Sequence, residues 1–328
     1  MTAVPAVPAI PPVPARADGA GTPVLRPITG PDEIDLFNRL PYCFNHELAD
    51  DLASGRRRPE LMWTALDAEG RLLARAAWWC PPGSTEPLLL DVFDHVPGHE
   101  ATAEALLRRA TAAVVPEGTV PPKYGRFLPT GWREDPAVRA VVDGPFAVVR
   151  RLGAVPFVER LSLEWTAAAP VPAPSGRLRF RPVTGEAELV GLLTEILTDT
   201  LDAHSRDDLS RMTAREAAQL QFDEEFAHFT TPREWWRVAE SAETGEPVGL
   251  VIAARNAYRP IIAYLGVLPA HRGRGWAEEI LGEGTRVLAG AGAEVVRAAT
   301  DVGNTPMAAA FGRAGYRVFR HEYVMTWG

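Results

Sequence analysis

The stretch VLPAHRGRGWAEEIL, residues 267–281, alternates two arginines and two glycines at one corner of the chain. Glycine lets backbone N–H groups turn toward a ligand without a Cβ in the way. The first turn of a helix adds unpaired N–H groups and partial positive charge. Arg272 and Arg274 bring formal charge to the same place. These residues together predict a site for an anion such as a phosphate or a pyrophosphate.

The elements around this run favour that interpretation over an exposed turn. The apolar segment PIIAYLGVL, residues 260–268, is typical of a strand and ends at Pro269. Apolar residues recur at helical spacing after Trp276, which predicts a helix there. Other phosphate-binding motifs do not fit, because G-x-x-x-x-G-K-[ST] is absent and Glu278 stands where G-x-G-x-x-G needs its third glycine.

The chain also repeats itself. The segments LRPITGPDEIDLF and FRPVTGEAELVGL align Arg26 with Arg181, at an offset of 155 residues. Two later segments align Trp165 with Trp327, at an offset of 162 residues. A near-constant offset across several elements predicts two copies of one fold.

We therefore divide the chain into a disordered Pro/Ala-rich tail, 1–22, a first copy, 23–165, a low-complexity linker, 166–176, and a second copy, 177–328. In each copy, strands joined by turns precede strands that alternate with helices. This order predicts an α/β fold in which a mixed, mostly antiparallel sheet is flanked by helices. In the second copy we expect strands near 178–184, 235–241, 247–255, 260–268, 293–300 and 317–327, and helices near 186–203, 213–227, 276–290 and 305–313.

Composition excludes several classes of function. The net charge of −8 and the single lysine, Lys123, argue against a nucleic-acid partner. No apolar run approaches the ~20 residues that span a membrane. The start of the chain lacks a basic region and is broken by prolines, so we expect a cytoplasmic protein without a membrane partner. Cys43 and Cys80 make neither a disulfide framework nor a metal site, and no metal is expected.

The spacing V-x-P-x-x-R-x-x-G-x-A, residues 267–277, resembles motif A of the GCN5-related N-acetyltransferase (GNAT) superfamily. The segment NTPMAAAFGRAGYRV, which begins at Asn304, resembles the family's N-x-x-A-x-x-L-Y-x-x-x-G-F segment. The resemblance covers essentially all of residues 177–328. It implies two tandem GNAT-like domains and acetyl-CoA, or another acyl-CoA, as the co-substrate.

The resemblance also implies which residues bind acyl-CoA. The strand that leads to Val267 would splay from its neighbour, and backbone N–H groups there would bind the pantetheine. One of them would stabilise the oxyanion, a contribution of about 2.7–4 kcal/mol per donor. The Arg-Gly loop would hold the pyrophosphate, and Asn304 would contact the cofactor. The implied set is Leu265, Gly266, Val267, Arg272, Gly273, Arg274, Gly275, Trp276, Ala277, Asn304 and Phe311.

Groups for proton transfer are not evident. Phe311 stands where the family often has a tyrosine that protonates the leaving thiolate, so we expect Phe311 only to pack against the cofactor. Direct transfer to a deprotonated amine needs no nucleophilic cysteine. The candidates are His204 and Glu224 in the early helices and Tyr264 on the strand, with Tyr323 as another proton donor.

The two copies differ in the residues that would do chemistry. Residues 199–225 carry eight acidic side chains and three arginines, which indicates either a solvated helical face or attraction of a small cationic amine. The first copy has HVPGHEATA, residues 95–103, where motif A should lie, and nearby Asp91, Asp94 and Glu100 would repel a pyrophosphate. We interpret the first copy as degenerate.

The leading hypothesis is an N-acyltransferase that transfers acetyl from acetyl-CoA to a small amine. One alternative is an acyltransferase of secondary metabolism or resistance that uses a longer acyl donor. Another is a module that binds acyl-CoA without catalysis. The sequence leaves the amine, the acyl length and the oligomeric state open.

Overall fold

The computed structural model describes residues 21–81 and 83–328, so residues 1–20 of the predicted tail lie outside it. The described chain forms two compact units. The first contains the residues up to Phe157 together with Glu322–Gly328, and the second contains Val158–His321. Each unit has its own hydrophobic core.

The first unit is a sheet with helices packed against it. Its strands are β1 (Val24–Pro27), β2 (Met62–Leu66), β3 (Leu72–Trp79), β4 (Leu89–His95) and β5 (Lys123–Pro129). Its helices are α1 (Ile34–Phe37), α2 (Leu48–Ala53), α3 (Glu100–Val114) and α4 (Pro136–Arg151). The strands lie in the order β1-β2-β3-β4-β5, and of these neighbours β4 and β5 are parallel and the others antiparallel.

The second unit repeats this plan. Its complete strands are β7 (Leu178–Pro182), β8 (Trp236–Ser241), β9 (Pro247–Arg255), β10 (Pro260–Val267) and β11 (Val295–Asp301). Two more strands belong to it in part: β6 (Val155–Thr166) from Val158 onward, and β12 (Arg317–Thr326) as far as His321. Its helices are α5 (Glu186–Ile196), α6 (Ala203–Leu209), α7 (Ala214–Glu224), α8 (Trp276–Gly290) and α9 (Thr305–Arg313). The order is β6-β11-β10-β9-β8-β7, in which β10 and β11 are parallel and the other neighbours are antiparallel. This is the mixed, mostly antiparallel α/β fold that the sequence predicts.

An ion pair near the start of each unit shows the repeat at atomic detail. Arg26 donates to both carboxylate oxygens of Glu33, at 2.8 and 2.6 Å. Arg181 donates to both oxygens of Glu188, at 3.1 and 2.6 Å. The hydrogen bonds from the arginines lower the pKa of each glutamate to about 2. A backbone N–H three residues after each arginine completes the same motif, at 2.7 Å in both copies.

The closing strands do not lie where the repeat suggested. Residues 158–165 were expected to close the first copy, but they belong to the second unit, where β6 pairs with β11 and Trp165 is buried. Residues 322–328 belong to the first unit, where Met325 is buried in the core and Tyr323 packs against Phe146. The observed units therefore depart from the predicted boundaries, 23–165 and 177–328, because repeat alignment reports sequence similarity and not which compact unit a strand joins.

The segment predicted as a linker, 166–176, is packed against α8. The hydroxyl of Ser175 donates to Glu279 at 2.6 Å, and the carbonyl of Pro172 accepts from Arg286 at 3.0 Å. This low-complexity segment therefore runs along one helix of the second unit, to which it is hydrogen-bonded.

Candidate functional site

The strand that precedes the Arg-Gly loop separates from its parallel neighbour. β10 pairs with β9 from Pro260 to Val267, but within the described residues it pairs with β11 only at Ile261, opposite Arg297. A bulge at Ala263 interrupts the register of β10 with β9. The remainder of β10 thus has one edge that is not covered by another strand.

The direction of each backbone N–H determines whether it is available to a ligand at this edge. The N–H of Leu268 donates to Val248 on β9 at 2.8 Å. Successive N–H groups along an extended chain point in opposite directions, so the N–H of Val267 points away from β9. Leu265 is half-buried and packs against the core, and Gly266 is buried beside Ile196.

The loop after β10 offers several donors to one ligand. Gly273 and Gly275 have φ of 74° and 80°, in the left-handed region that favours glycine. Within the described chain, the N–H groups of residues 273–276 have no hydrogen-bond acceptor. Arg274 is exposed and makes no side-chain hydrogen bond or ion pair with described residues. This combination suits a multivalent anion at the start of α8.

Arg272 has a different role from the one expected. Its guanidinium donates to backbone carbonyls at the end of α5 and just beyond it, 2.6 Å from Ile196 and 2.7 Å from Thr198, and its Nε donates to Val267 at 3.2 Å. These bonds direct its charge into the fold instead of toward the anion site. Arg272 therefore holds the loop in place. Its part in cofactor binding stays a prediction, in which Arg272 positions the backbone of the loop.

Three other predicted contacts lie around the loop. Trp276 begins α8 with Arg177 over its ring, 4.5 Å from the centroid, and Ala277 follows it, half-buried. Asn304 caps α9, where its side chain accepts from Met307 at 3.3 Å.

Phe311 lies in the core of the second unit. Its side chain is 3% exposed and its ring lies 5.1 Å from that of Tyr316. Its packing against the cofactor stays a prediction.

Ionisable groups from several elements meet at the carboxyl end of β11. Asp301 accepts from the N–H of Ala203 at 2.6 Å and lies 3.2 Å from the Nε of Arg160 on β6. Burial raises the pKa of Asp301, against the opposing effects of these two donors. Asp202 caps α6, and although burial works the other way, the hydrogen bonds from Ser205 and the charge of Arg160 lower its pKa.

Glu225 is a member of this group that sequence reasoning missed. It follows the last residue of α7 and stays exposed, yet the surrounding protein removes enough water to raise its pKa to about 7, against the opposing effects of Gln221 and Arg160. The next residue, Phe226, is buried with its ring 6.0 Å from that of Tyr264. The signal is not local, because Arg160 lies on a strand far away in the sequence.

The sequence-predicted catalytic candidates fall in different places. His204 lies on α6 beside Asp202 and is half-buried, and Glu224 is exposed at the end of α7. Tyr264 is half-buried on β10, and burial followed by the charge of Asp202 raises its pKa. Tyr323 belongs to the first unit and packs against Phe146.

Much of the acidic charge of residues 199–225 is used locally. Asp207 and Asp208 pair with Arg211, at 3.1 and 2.9 Å. Glu216 forms a capping box with Thr213 at the start of α7. The excess that can attract a cation is therefore smaller than the sequence count suggested.

The equivalent strand gap in the first unit is filled. β4 and β5 pair only at Leu89–Lys123 and Leu90–Tyr124. Beyond these positions Arg126 on β5 lies 2.7 Å from Asp94 on β4, and both side chains are almost fully buried.

The loop of the first unit supplies its own anion. The carboxylate of Glu100 accepts from the N–H of Gly98 at 3.1 Å, and the N–H of His99 donates to Val96 at 3.1 Å. Two of the N–H groups at this corner are thus already paired.

Two further properties concern the whole described chain. Residues 21–81 and 83–328 contain no helix long and apolar enough to cross a membrane. The same residues contain no group of three or more His, Cys, Asp or Glu side chains placed to hold a metal ion.

Comparison with known proteins agrees with this geometry. Residues 197–316 match the model of the acetyltransferase (GNAT) family. A GCN5-related N-acetyltransferase from Sphaerobacter thermophilus shares the fold with a TM-score of 0.59 at 15% identity, over 93% of this chain and 95% of that one. A glucosamine N-acetyltransferase region of a fungal multi-domain GH3 β-N-acetylglucosaminidase has a TM-score of 0.54 at 14% identity, over 96% of this chain and 39% of that one. No curated protein matches the sequence.

The matched residues include the strand gap and the Arg-Gly loop. This match supports acyl-CoA-dependent N-acyl transfer as the general activity. The likeness to the two solved structures is one of fold alone.

Proposed function

We propose that the chain is an N-acyltransferase that transfers acetyl from acetyl-CoA directly to a small amine, and that its second unit carries the site. One observation carries the proposal: β10 leaves β11 after a single paired position and then enters a loop whose N–H groups lack acceptors. A strand gap beside an anion-binding loop accommodates an extended ligand that ends in phosphates. The exposed Arg274 adds charge at the phosphate end.

Val267 would act on the reacting carbonyl. Its N–H points away from β9 toward the gap, where it can donate to a thioester oxygen. Negative charge develops on that oxygen as the amine attacks, and a fixed backbone donor stabilises the charge without reorganisation. Val267 is held for this role because its own carbonyl accepts from Arg272 at 3.2 Å.

Glu225 would act as the general base. An acceptor ammonium must lose a proton before nitrogen can attack, and a base is most effective when its pKa lies near the working pH. The raised pKa of Glu225 meets this condition, and its exposure leaves it open to a substrate. The C–N bond forms as the C–S bond breaks, and the leaving thiolate takes the second amine proton. Glu225 is therefore preferred to Glu224 and His204 as the base.

The acceptor would be a small amine that carries positive charge. Asp202, Asp301 and Glu225 gather around one arginine, Arg160, so the group keeps a negative excess that favours a cation.

The first unit would not bind acyl-CoA. The pair of Arg126 with Asp94 occupies the gap between β4 and β5. The N–H of Gly98 already donates a hydrogen bond to the carboxylate of Glu100. A ligand would have to displace a buried ion pair, which is costly because it leaves charges buried and unpaired.

The test is release of free thiol from acetyl-CoA by the purified full chain. The amines are glucosamine and lysine as cationic acceptors and glycinamide as a smaller one, with a blank that lacks amine. Amine-dependent release that is lost in Val267→Pro, which removes the N–H, supports transfer. If acetyl-CoA binds but no amine increases release, the chain is a binding module without catalysis, the alternative that Phe311 in place of an acid favours.

A further inference from the structure

The second unit has a basic concavity far from the Arg-Gly loop. It has a volume of about 440 Å³ and is lined by the β9–β10 turn, the start of β10 and the segment between α8 and β11. The loop follows the opposite end of β10, whose eight residues span roughly 25 Å. We call this concavity the arginine pocket, after Arg255, Arg259 and Arg297 in its lining.

Positive charge in the arginine pocket exceeds the negative charge that faces it. Glu294 is the acidic residue of the lining, and Glu164 lies 2.6 Å from one end of the Arg297 guanidinium. Arg255 is exposed and makes no side-chain hydrogen bond or ion pair with described residues. The lining of the pocket thus carries three guanidinium groups and one carboxylate.

The guanidinium of Arg297 is held in place, but some of its N–H donors have no acceptor in the described chain. Its guanidinium lies 3.8 Å from the ring centroid of Phe319, which fixes one face. Its Nε and Nη1 have no hydrogen-bond partner in the described chain. Donors of a charged group that remain unpaired carry a desolvation cost that a bound anion would relieve.

The electrostatics of Arg297 agree with this geometry. Burial, and then the charges of Arg259 and Arg320, lower its pKa to about 10, against the opposing effect of Glu164. The pKa of Arg297 therefore falls mainly because the guanidinium is buried, and the charges of the two neighbouring arginines add to the fall.

We propose that the arginine pocket binds a small ligand through a phosphate or diphosphate group, separately from acyl-CoA. Guanidinium forks match pairs of phosphate oxygens and bind them with two parallel hydrogen bonds. A multivalent anion gains from three arginines at once. A singly charged carboxylate does not use that number of donors.

The experiment is calorimetric titration of the full chain with pyrophosphate in the presence of saturating coenzyme A, which fills the Arg-Gly loop. We expect about one site per chain with a Kd on the order of 1 mM or tighter. Arg255→Gln and Arg297→Gln should each weaken binding at least about fivefold, the effect of one charged hydrogen bond. Arg179→Gln, an exposed arginine on β7 outside the pocket, should leave binding unchanged.

Other outcomes decide against the proposal. Absence of binding under these conditions, or binding that responds to Arg179→Gln as much as to Arg255→Gln, overturns it. Citrate bound as tightly as pyrophosphate would overturn the assignment to phosphate. If coenzyme A itself fails to bind, the titration is repeated with Arg274→Gln, so that failure of the proposed function and failure of the arginine pocket are told apart.

Discussion

Arg126 and Asp94 face each other, 2.7 Å apart, at the point where the parallel strands of the first unit separate. The equivalent strands of the second unit separate without such a pair, because Gly266 stands in β10 near the place that Asp94 has in β4. One carboxylate and one arginine therefore distinguish a filled gap from one that a ligand can use.

The first prediction concerns stoichiometry. Acetyl-CoA should bind at one site per chain, because the gap of the first unit is filled. Isothermal titration calorimetry of the purified protein measures this directly. Glu100→Gln, which removes the charge beside Gly98, should leave the stoichiometry at one. A value of two for the unaltered chain would contradict the assignment of the first unit.

The second prediction separates the two arginines of the loop. Arg272→Ala removes hydrogen bonds to four carbonyls and should lower the free energy of unfolding by about 1.5–3 kcal/mol, as well as weakening acetyl-CoA binding. Arg274→Ala should change that free energy by less than about 0.5 kcal/mol, as is usual for an exposed side chain. It should still weaken acetyl-CoA binding several-fold, in a way that added salt reduces.

Urea unfolding and calorimetry on the same two variants provide the test. Equal losses of stability would mean that Arg272 does not hold the loop. Unchanged binding in Arg274→Ala at low salt would remove it from the anion site.

The third prediction concerns acid stability. Glu188 has a folded pKa of about 2 against an ordinary value of 4.5, so its contribution to stability is present above pH 4.5 and is lost as the pH falls toward 2. The pair with Arg181 is partly exposed, and we expect it to contribute about 1 kcal/mol.

Glu188→Gln should therefore lower stability at pH 7 and flatten its fall between pH 5 and pH 2, as measured by thermal unfolding. Glu33→Gln should do the same in the first unit, because its pairing is equivalent. A variant that is as stable as the unaltered protein at pH 7, with the same acid slope, would show that the pair contributes nothing.

The fourth prediction concerns the base. With any amine that supports turnover, kcat/KM should rise with pH through about 7, the pKa of Glu225, because the ionised form is the active one. Glu225→Gln should remove this rise and lower kcat by about 10²–10⁴-fold, while acetyl-CoA affinity stays the same.

Asp223→Asn is the matched control, since Asp223 is exposed on α7, two residues before Glu225. It should keep both the rate and the pH profile. A rise through pH 7 that persists in Glu225→Gln would assign the proton transfer to another group.

The sequence was most informative where residues at the ends of a helix or strand determine where it begins and stops. The bounds of β10 and α8 follow from an apolar run that ends at Pro269 and from two glycines before Trp276, and the structure confirms them within a residue. The helix predicted over 186–203 ends at Ile196 instead, and a separate helix begins at Ala203 because Asp202 caps it. The spacing of apolar residues in the sequence does not reveal that the helix is interrupted there.

The candidate site divides in the same way. The Arg-Gly loop could be found because its residues are contiguous. Glu225 could not, since its raised pKa comes from burial by the folded chain, and the opposing charge of Arg160 lies far away in the sequence, on β6. The burial of Phe311 could not be predicted either, because a motif position does not reveal which side of a short helix faces the core.

The assignment of Glu322–Gly328 to the first unit has a consequence for synthesis. A chain made from its N-terminus usually folds its leading domain first. Here the leading unit is incomplete until residues 322–328 have been synthesised, since Met325 is part of its core. The segments of the second unit should therefore leave the ribosome before the first unit can close, and removal of residues 322–328 should damage the half of the protein that was made first.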